Sequence, residues 1–168
     1  MKKFFAVLAI TGAAVLGGGM AQAGGDHHGH DDDHHGKSTH GMISKKSAHS
    51  VKDTLDRLEA VLKKKGLTIF ARVNHGAGAK KSGIELRPTE LLLFGNPKLG
   101  SHLLTSKQTA GIDLPMKALA WEDEKGQVWL TYNDPAYVAE RHGITDREKI
   151  VTKMTGALQK LTDVAAQP

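Results

Sequence analysis

The segment "SVKDTLDRLEAVLKKKGLTIFARVNH", residues 50–75, decides the fold. Val51, Leu55, Leu58 and Leu62 recur at spacings of four, three and four, which is one stripe of an α-helix. Ser50 stands where an N-cap belongs, with Asp53 in the place that Glu or Gln usually takes in a capping box. Lys63, Lys64 and Lys65 suit the negative end of a helix, and Gly66 is a natural terminator. The spacing therefore predicts a helix over residues 50–65. After Gly66 the period falls to two. Leu67, Ile69, Ala71 and Val73 are expected on one face of a strand over 67–74, and Thr68, Phe70, Arg72 and Asn74 on the other, which is only partly wet.

The flanking sequence extends this pattern. Mixed alternation near 41–48 predicts an opening strand. "GAGAKKSG" is expected as a mobile loop, and "ELLLFGNPK" as a short apolar strand closed by Gly95-Asn96-Pro97. Leu99, Leu103 and Leu104 suit a short helix over 98–107. "MKALAWEDEKGQVWLTYND" reads as a hairpin with strands near 116–122 and 127–133, turning at Glu124-Lys125-Gly126. Asp134 and Pro135 open a helix that should stop by Gly143. Thr145 to Glu148 reads as a second capping box, ahead of a terminal stripe of Ile150, Met154, Leu158, Leu161 and Val164. The order gives an α+β fold, an antiparallel sheet with helices packed on one face. The other face, with Phe70, Arg72 and similar residues, is expected to be solvated or paired with a second copy.

The chain has 168 residues, enough for one domain with appendages. It begins "MKKFFAVLAITGAAVLGGGMAQA": two lysines, an apolar run from Phe4 to Leu16, and small residues around Ala21-Gln22-Ala23. This predicts a signal peptide over 1–23 and a periplasmic or secreted product. An uncleaved anchor is the alternative, but the run falls short of the roughly 20 residues that span a bilayer; no membrane association is expected after cleavage. There is no cysteine, so disulfides, thiolate nucleophiles and thiolate metal sites are excluded. Removing Lys2 and Lys3 takes the formal charge from +5 to +3, and the remaining lysines are scattered among acids. No nucleic-acid partner is expected.

Residues 24–41, "GGDHHGHDDDHHGKSTHG", form a leader that is expected to be disordered without a ligand, since nothing in it can be buried. The remaining residues, 42–168, form the single domain. His27, His28, His30, His34, His35 and His40 alternate with aspartates. Neutral imidazole binds copper, zinc and nickel, and carboxylate adds charge attraction. The spacing matches no closed structural zinc site, so a flexible, weakly selective collector of transition metal is expected. The alternative is a polar segment that keeps the domain soluble.

The stretches "TLDRLEAVLKKKGLTIFARVNH", "LRPTELLLFGNPKLGSHLL" and "AGIDLPMKALAWEDEKGQVWLTYNDPAYVA" resemble the domain of unknown function 302 family. The resemblance covers nearly all of residues 50–140. It implies a compact α+β domain of helix-grip or TATA-binding-protein-like arrangement, with one long helix across a curved sheet, and a homodimer as an accessible state. It implies no activity. In the family pattern the strand ending at residue 74 is followed by a histidine, here His75.

His75 with Glu85 or Asp113 is the candidate acid/base pair or partial metal site, against the plainer reading that His75 hydrogen-bonds a turn. Asn96 is expected to fix a turn, with ligand contact as the alternative. Trp121 and Trp129 lie on the two hairpin arms and are expected in core or interface, with Tyr132 on the opposite face. Met116 and Met154 are possible soft copper ligands that fit core positions better. His102 and His142 read as surface or capping residues. No phosphate loop, dinucleotide fingerprint or hydrolase nucleophile motif is present, so no nucleotide cofactor is expected. The leading expectation is a non-enzymatic domain that binds a metal ion or small ligand, followed by a dimeric interaction protein and by an enzyme built on His75.

Overall fold

The structure is a computed structural model, and it describes residues 40–168. The signal peptide and the leader histidines 27, 28, 30, 34 and 35 lie outside the described residues. Eleven elements follow in order: β1 (Met42–Ser47), α1 (Val51–Lys64), β2 (Thr68–Asn74), α2 (His75–Lys81), β3 (Thr89–Gly95), α3 (Pro97–Ser106), a 3-10 turn (Gln108–Ile112), β4 (Met116–Glu122), β5 (Val128–Asn133), α4 (Pro135–Arg141) and α5 (Glu148–Ala166). The five strands form one antiparallel sheet in the order β1-β5-β4-β3-β2.

The α1 stripe forms as its spacing predicts. Ser50 caps the helix by accepting from Asp53 N–H, and Gly66 leaves it at φ +73°, a left-handed conformation that costs glycine little. Leu55, Leu58 and Leu62 have no exposed surface. They lie against Leu92, Phe94, Ala118, Ala120 and Leu130 of the sheet in one core. Each such leucine contributes about 1.5–3 kcal/mol by leaving water. The small residues Ala118 and Ala120 of β4 let the helix approach the sheet closely. Thr54, also fully buried on α1, bonds Ser47 Oγ at 2.6 Å and donates to the Ser50 carbonyl at 2.7 Å, which satisfies its hydroxyl.

Two helices cover the sheet, where the resemblance implied one. α1 crosses β2 to β5, and α5 lies over β1 and along α1. The sheet is too wide for a single helix of about 10 Å diameter, since five strands at about 4.8 Å spacing span roughly twice that. Met154, Leu158 and Leu161 of α5 are buried as the stripe predicts, but Val164 is 54% exposed and Ala165 and Ala166 turn inward instead. The predicted capping box at Thr145 does not form. α5 starts at Glu148 without a side-chain cap, because Asp146 accepts from Ser106 Oγ and Arg147 reaches the His102 carbonyl at 3.0 Å.

β2 departs from simple alternation. Its register against β3 shifts between Ile69 and Ala71, so Phe70 is the extra residue of a β-bulge. Ala71 and Val73 then pair with Leu93 and Leu91, while Arg72 pairs with Leu92 on the helix-covered face. The expected grouping of Arg72 with Phe70 on the uncovered face is thus reversed for Arg72. Its guanidinium bonds Asp56 of α1 and Glu90 of β3 and lies 3.7 Å from Glu59. Hydrogen bonds from Lys52 and Arg72 hold the Asp56 carboxyl below the usual carboxylate range. At the opposite edge Lys45 of β1 does the equivalent, donating to Asp163 and to the Gln159 carbonyl of α5 beside the Tyr132 ring. "GAGAKKSG" is not a loop. Asn74 Oδ1 accepts from Ala77 N–H and starts α2.

Leu58→Ala is expected to lower the unfolding free energy by about 2–5 kcal/mol, because the seam cannot collapse over the void. Val164→Ala should change it by less than about 0.5 kcal/mol. Urea denaturation of both variants checks the pair.

Candidate functional site

An apolar cavity of about 410 Å³ opens at the end of the sheet where β2 and β4 begin and β3 ends. Phe94 and Met116 form its floor on the strands. Leu99 and Leu104 of α3 form one wall, and Met154, Leu158 and Leu161 of α5 form another. Leu114 and Pro115, joined by a cis peptide bond, close it from the β4 side. Phe70, 53% exposed at the bulge, and the exposed Ala157 lie at its rim. The bulge residue itself thus contributes an aromatic side chain to the cavity lining.

Two glycines lie in the walls, and a Cβ at either would make an ordinary contact with a neighbouring leucine. A Cβ built on Gly100 of α3 would lie 3.8 Å from Leu114 Cδ1, and one on Gly111 would lie 3.5 Å from Leu104 Cδ2. The polar side chains of the lining are Asn96 and Ser101. Asn96 Oδ1 accepts from Lys98 N–H at 2.9 Å and caps α3, while among the described residues its Nδ2 donor has no acceptor. Asn96 therefore does its structural work as the cap of α3, and its side chain also lines the cavity. Met116 and Met154 both line the cavity, at 5% and 8% exposure, without an imidazole or carboxylate beside them there.

The structure does not bring the expected acid/base residues together. His75 is exposed at the first position of α2, next to the strand end where Asn74 pairs with Glu90. Glu85 lies on an exposed segment and lines a second, polar cleft of about 950 Å³ with Lys80, Arg87, Glu90 and Glu122. Asp113 lies at the other end of the sheet, just before β4. It is held there by His142 Nε2 at 2.7 Å and Arg141 Nη1 at 3.1 Å. Thr109 Oγ1 is 3.1 Å from His142 Nδ1. His142 caps α4 as expected but is no surface residue: its side chain is 7% exposed and that of Asp113 11%. This row ties the 3-10 turn, which forms part of the cavity wall, to α4. Sequence offered no signal for it, because His142 lies on a different element from Thr109 and Asp113 and far from both in the chain.

Among the described residues no group of three or more histidine, aspartate or glutamate side chains is placed to hold a metal ion. His40 is exposed in the turn before β1, at φ +55°. Trp121 and Trp129 are directly paired across β4 and β5, with ring centroids 6.4 Å apart, on the face that the helices leave uncovered. Trp121 Nε1 donates to Thr131 Oγ1 and Trp129 Nε1 to Asp123 Oδ2, both at 2.9 Å. The Trp129 bond holds the Asp123 carboxyl below its usual range. Tyr132 is buried on the helix side, as the spacing predicts.

The chain is similar to two curated proteins named fluoride-specific ion channel FluC 1, from Brucella suis biovar 1 (strain 1330) and Brucella abortus biovar 1 (strain 9-941). Each is 50% identical over 118 residues. The match covers 69% of this chain but 46% and 44% of theirs, so the chain spans under half the length of these relatives. Among the described residues no helix is long and apolar enough to cross a membrane. The fold is similar to that of the crystal structure of an uncharacterized conserved DUF302 protein from Bacillus stearothermophilus. The TM-score is 0.68 at 17% identity, covering 74% of this chain and 98% of that one. The model of the family described as domain of unknown function DUF302 matches residues 43–161. That span runs from inside the first strand to deep in the last helix, and on it the chain belongs to the DUF302 family.

Proposed function

We propose that the chain is a non-enzymatic, secreted or periplasmic domain that binds a small ligand, and that its leader collects transition metal. The cavity between α3 and α5 is the observation that carries the ligand reading. A cavity of about 410 Å³ falls within the usual size range of ligand sites. The cavity has no nucleophile–base pair on its walls, which favours binding over turnover. The curated relatives carry the shared segment within chains more than twice as long. We read that segment as an appended binding module rather than the conducting part, since the cavity offers an anion no cationic partner.

Metal collection by His27, His28, His30, His34, His35 and His40 rests on imidazole density alone. A homodimer is the second reading, and it rests on the uncovered sheet face. Val73 and Met42 are 40% and 44% exposed there, beside the half-buried Leu91, Leu93, Leu119 and the tryptophan pair.

Three outcomes are expected. N-phenylnaphthylamine, a neutral apolar fluorophore, should brighten and saturate at one per chain. Gly100→Leu should reduce its affinity by more than about tenfold, while retaining the wild-type far-ultraviolet circular dichroism, because a helical glycine is being replaced by a better helix former. Copper, zinc and nickel should bind the full chain by calorimetry and fail to bind a chain starting at Met42. Val73→Lys should shift sedimentation from dimer to monomer if the second reading holds; a monomeric wild type ends that reading.

A further inference from the structure

The residues that line the cavity also define the chemistry of its occupant, and this step rests on the ligand-binding reading above. None of the lining side chains is ionisable: the set contains no lysine, arginine, histidine, aspartate or glutamate. Placing a carboxylate, phosphate or ammonium within these walls without a paired charge costs several kcal/mol. A metal ion meets the same obstacle, because two thioethers without imidazole or carboxylate are a poor ligand set for zinc, nickel or oxidised copper. The polar contribution of the rim is narrow. Asn96 uses its oxygen to cap α3 and keeps Nδ2 as a donor, and Ser101 adds one hydroxyl. A donor amide at the edge of an apolar cavity selects for an acceptor on the ligand.

We infer that the cavity takes an uncharged, mainly apolar molecule, aromatic or branched, that carries a single acceptor such as a ketone, ester or ether oxygen turned toward Asn96 Nδ2. Phe94 on the floor and Phe70 at the rim give the lining two aromatic side chains, which suit a flat body. The segment from Asn96 to Ser101 reads the polar end and Met154 to Leu161 the apolar end. The walls suit variety in the apolar body, since two methionines adapt their shape more readily than branched side chains do.

Competition against N-phenylnaphthylamine with three ligands of one skeleton tests the class: acetylnaphthalene, ethylnaphthalene and naphthoate. Acetylnaphthalene should displace the probe best, ethylnaphthalene several-fold less well, and naphthoate more than about tenfold less well than the ketone. Asn96→Asp keeps an oxygen to cap α3 but removes the donor, so it should abolish the preference of ketone over hydrocarbon with the fold unchanged by circular dichroism. Naphthoate competing as well as the ketone, in a protein whose probe binding is lost in Gly100→Leu, overturns this inference and leaves the ligand-binding reading standing. An unchanged ketone preference in Asn96→Asp also overturns it. Absence of probe binding to the wild-type chain overturns both. Loss of a wild-type dimer in Gly100→Leu, without probe binding, would assign the cavity to a second copy of the chain and overturn both as well.

Discussion

Everything in this domain leans on the contact between one face of α1 and the middle of the sheet. Three leucines without exposed surface lie on strands whose facing residues include two alanines, so the helix and sheet backbones come close together. With no disulfide available, burial of this seam and of α5 beside it must offset the chain entropy. The rest of the architecture protects the seam. Arg72 at one sheet edge and Lys45 at the other each turn a cation inward and tie it to a carboxylate on a covering helix. Such pairs add modest energy where they are part exposed. Their other effect is to leave inward-pointing charge on both edge strands, which discourages further strands from pairing there.

The cavity follows from the same arrangement. α1 and α5 cover the centre and the β1 side of the sheet, and the shorter α3 reaches across the end they leave. α3 has a glycine in its middle and the following turn has another, so neither position adds a side chain to this wall. Apolar walls left open to solvent forgo the stabilisation that closing them by burial would give. A chain that tolerates this at one end while packing its centre with no exposed leucine surface treats the two regions differently. The Asp113–His142–Thr109 row fits that picture: it fixes the turn that forms the cavity wall to α4, so the wall is held by polar bonds where apolar packing is thin.

Elements with a strong local signal were legible in the sequence. The α1 stripe, the short α3 with its leucine spacing, the Asp134-Pro135 helix start and the β4–β5 hairpin each follow from spacing and cap chemistry within a few residues. Features that depend on a partner element were not. The bulge at Phe70 exists only relative to β3, and without it Arg72 reads as an outward residue. α2 has glycine and alanine where a stripe would stand, and only the Asn74 cap starts it. Val164 continues a run of suitable spacings, but the surface under that turn of α5 is met by Ala165 and Ala166. The cavity draws its lining from Leu67 to Leu161, so no window of sequence contains it. Asp113 reads as a chemical residue in the sequence, yet its partner His142 is 29 positions away and carries no motif.

The stacked indoles have a spectroscopic consequence. The chain has two tryptophans, and both lie on the uncovered face of the sheet, away from the cavity lining. Its near-ultraviolet optical activity will therefore come largely from one coupled chromophore that reports the surroundings of that face. A neighbour settling onto the sheet would change this signal, while a guest in the interior would pass almost unseen.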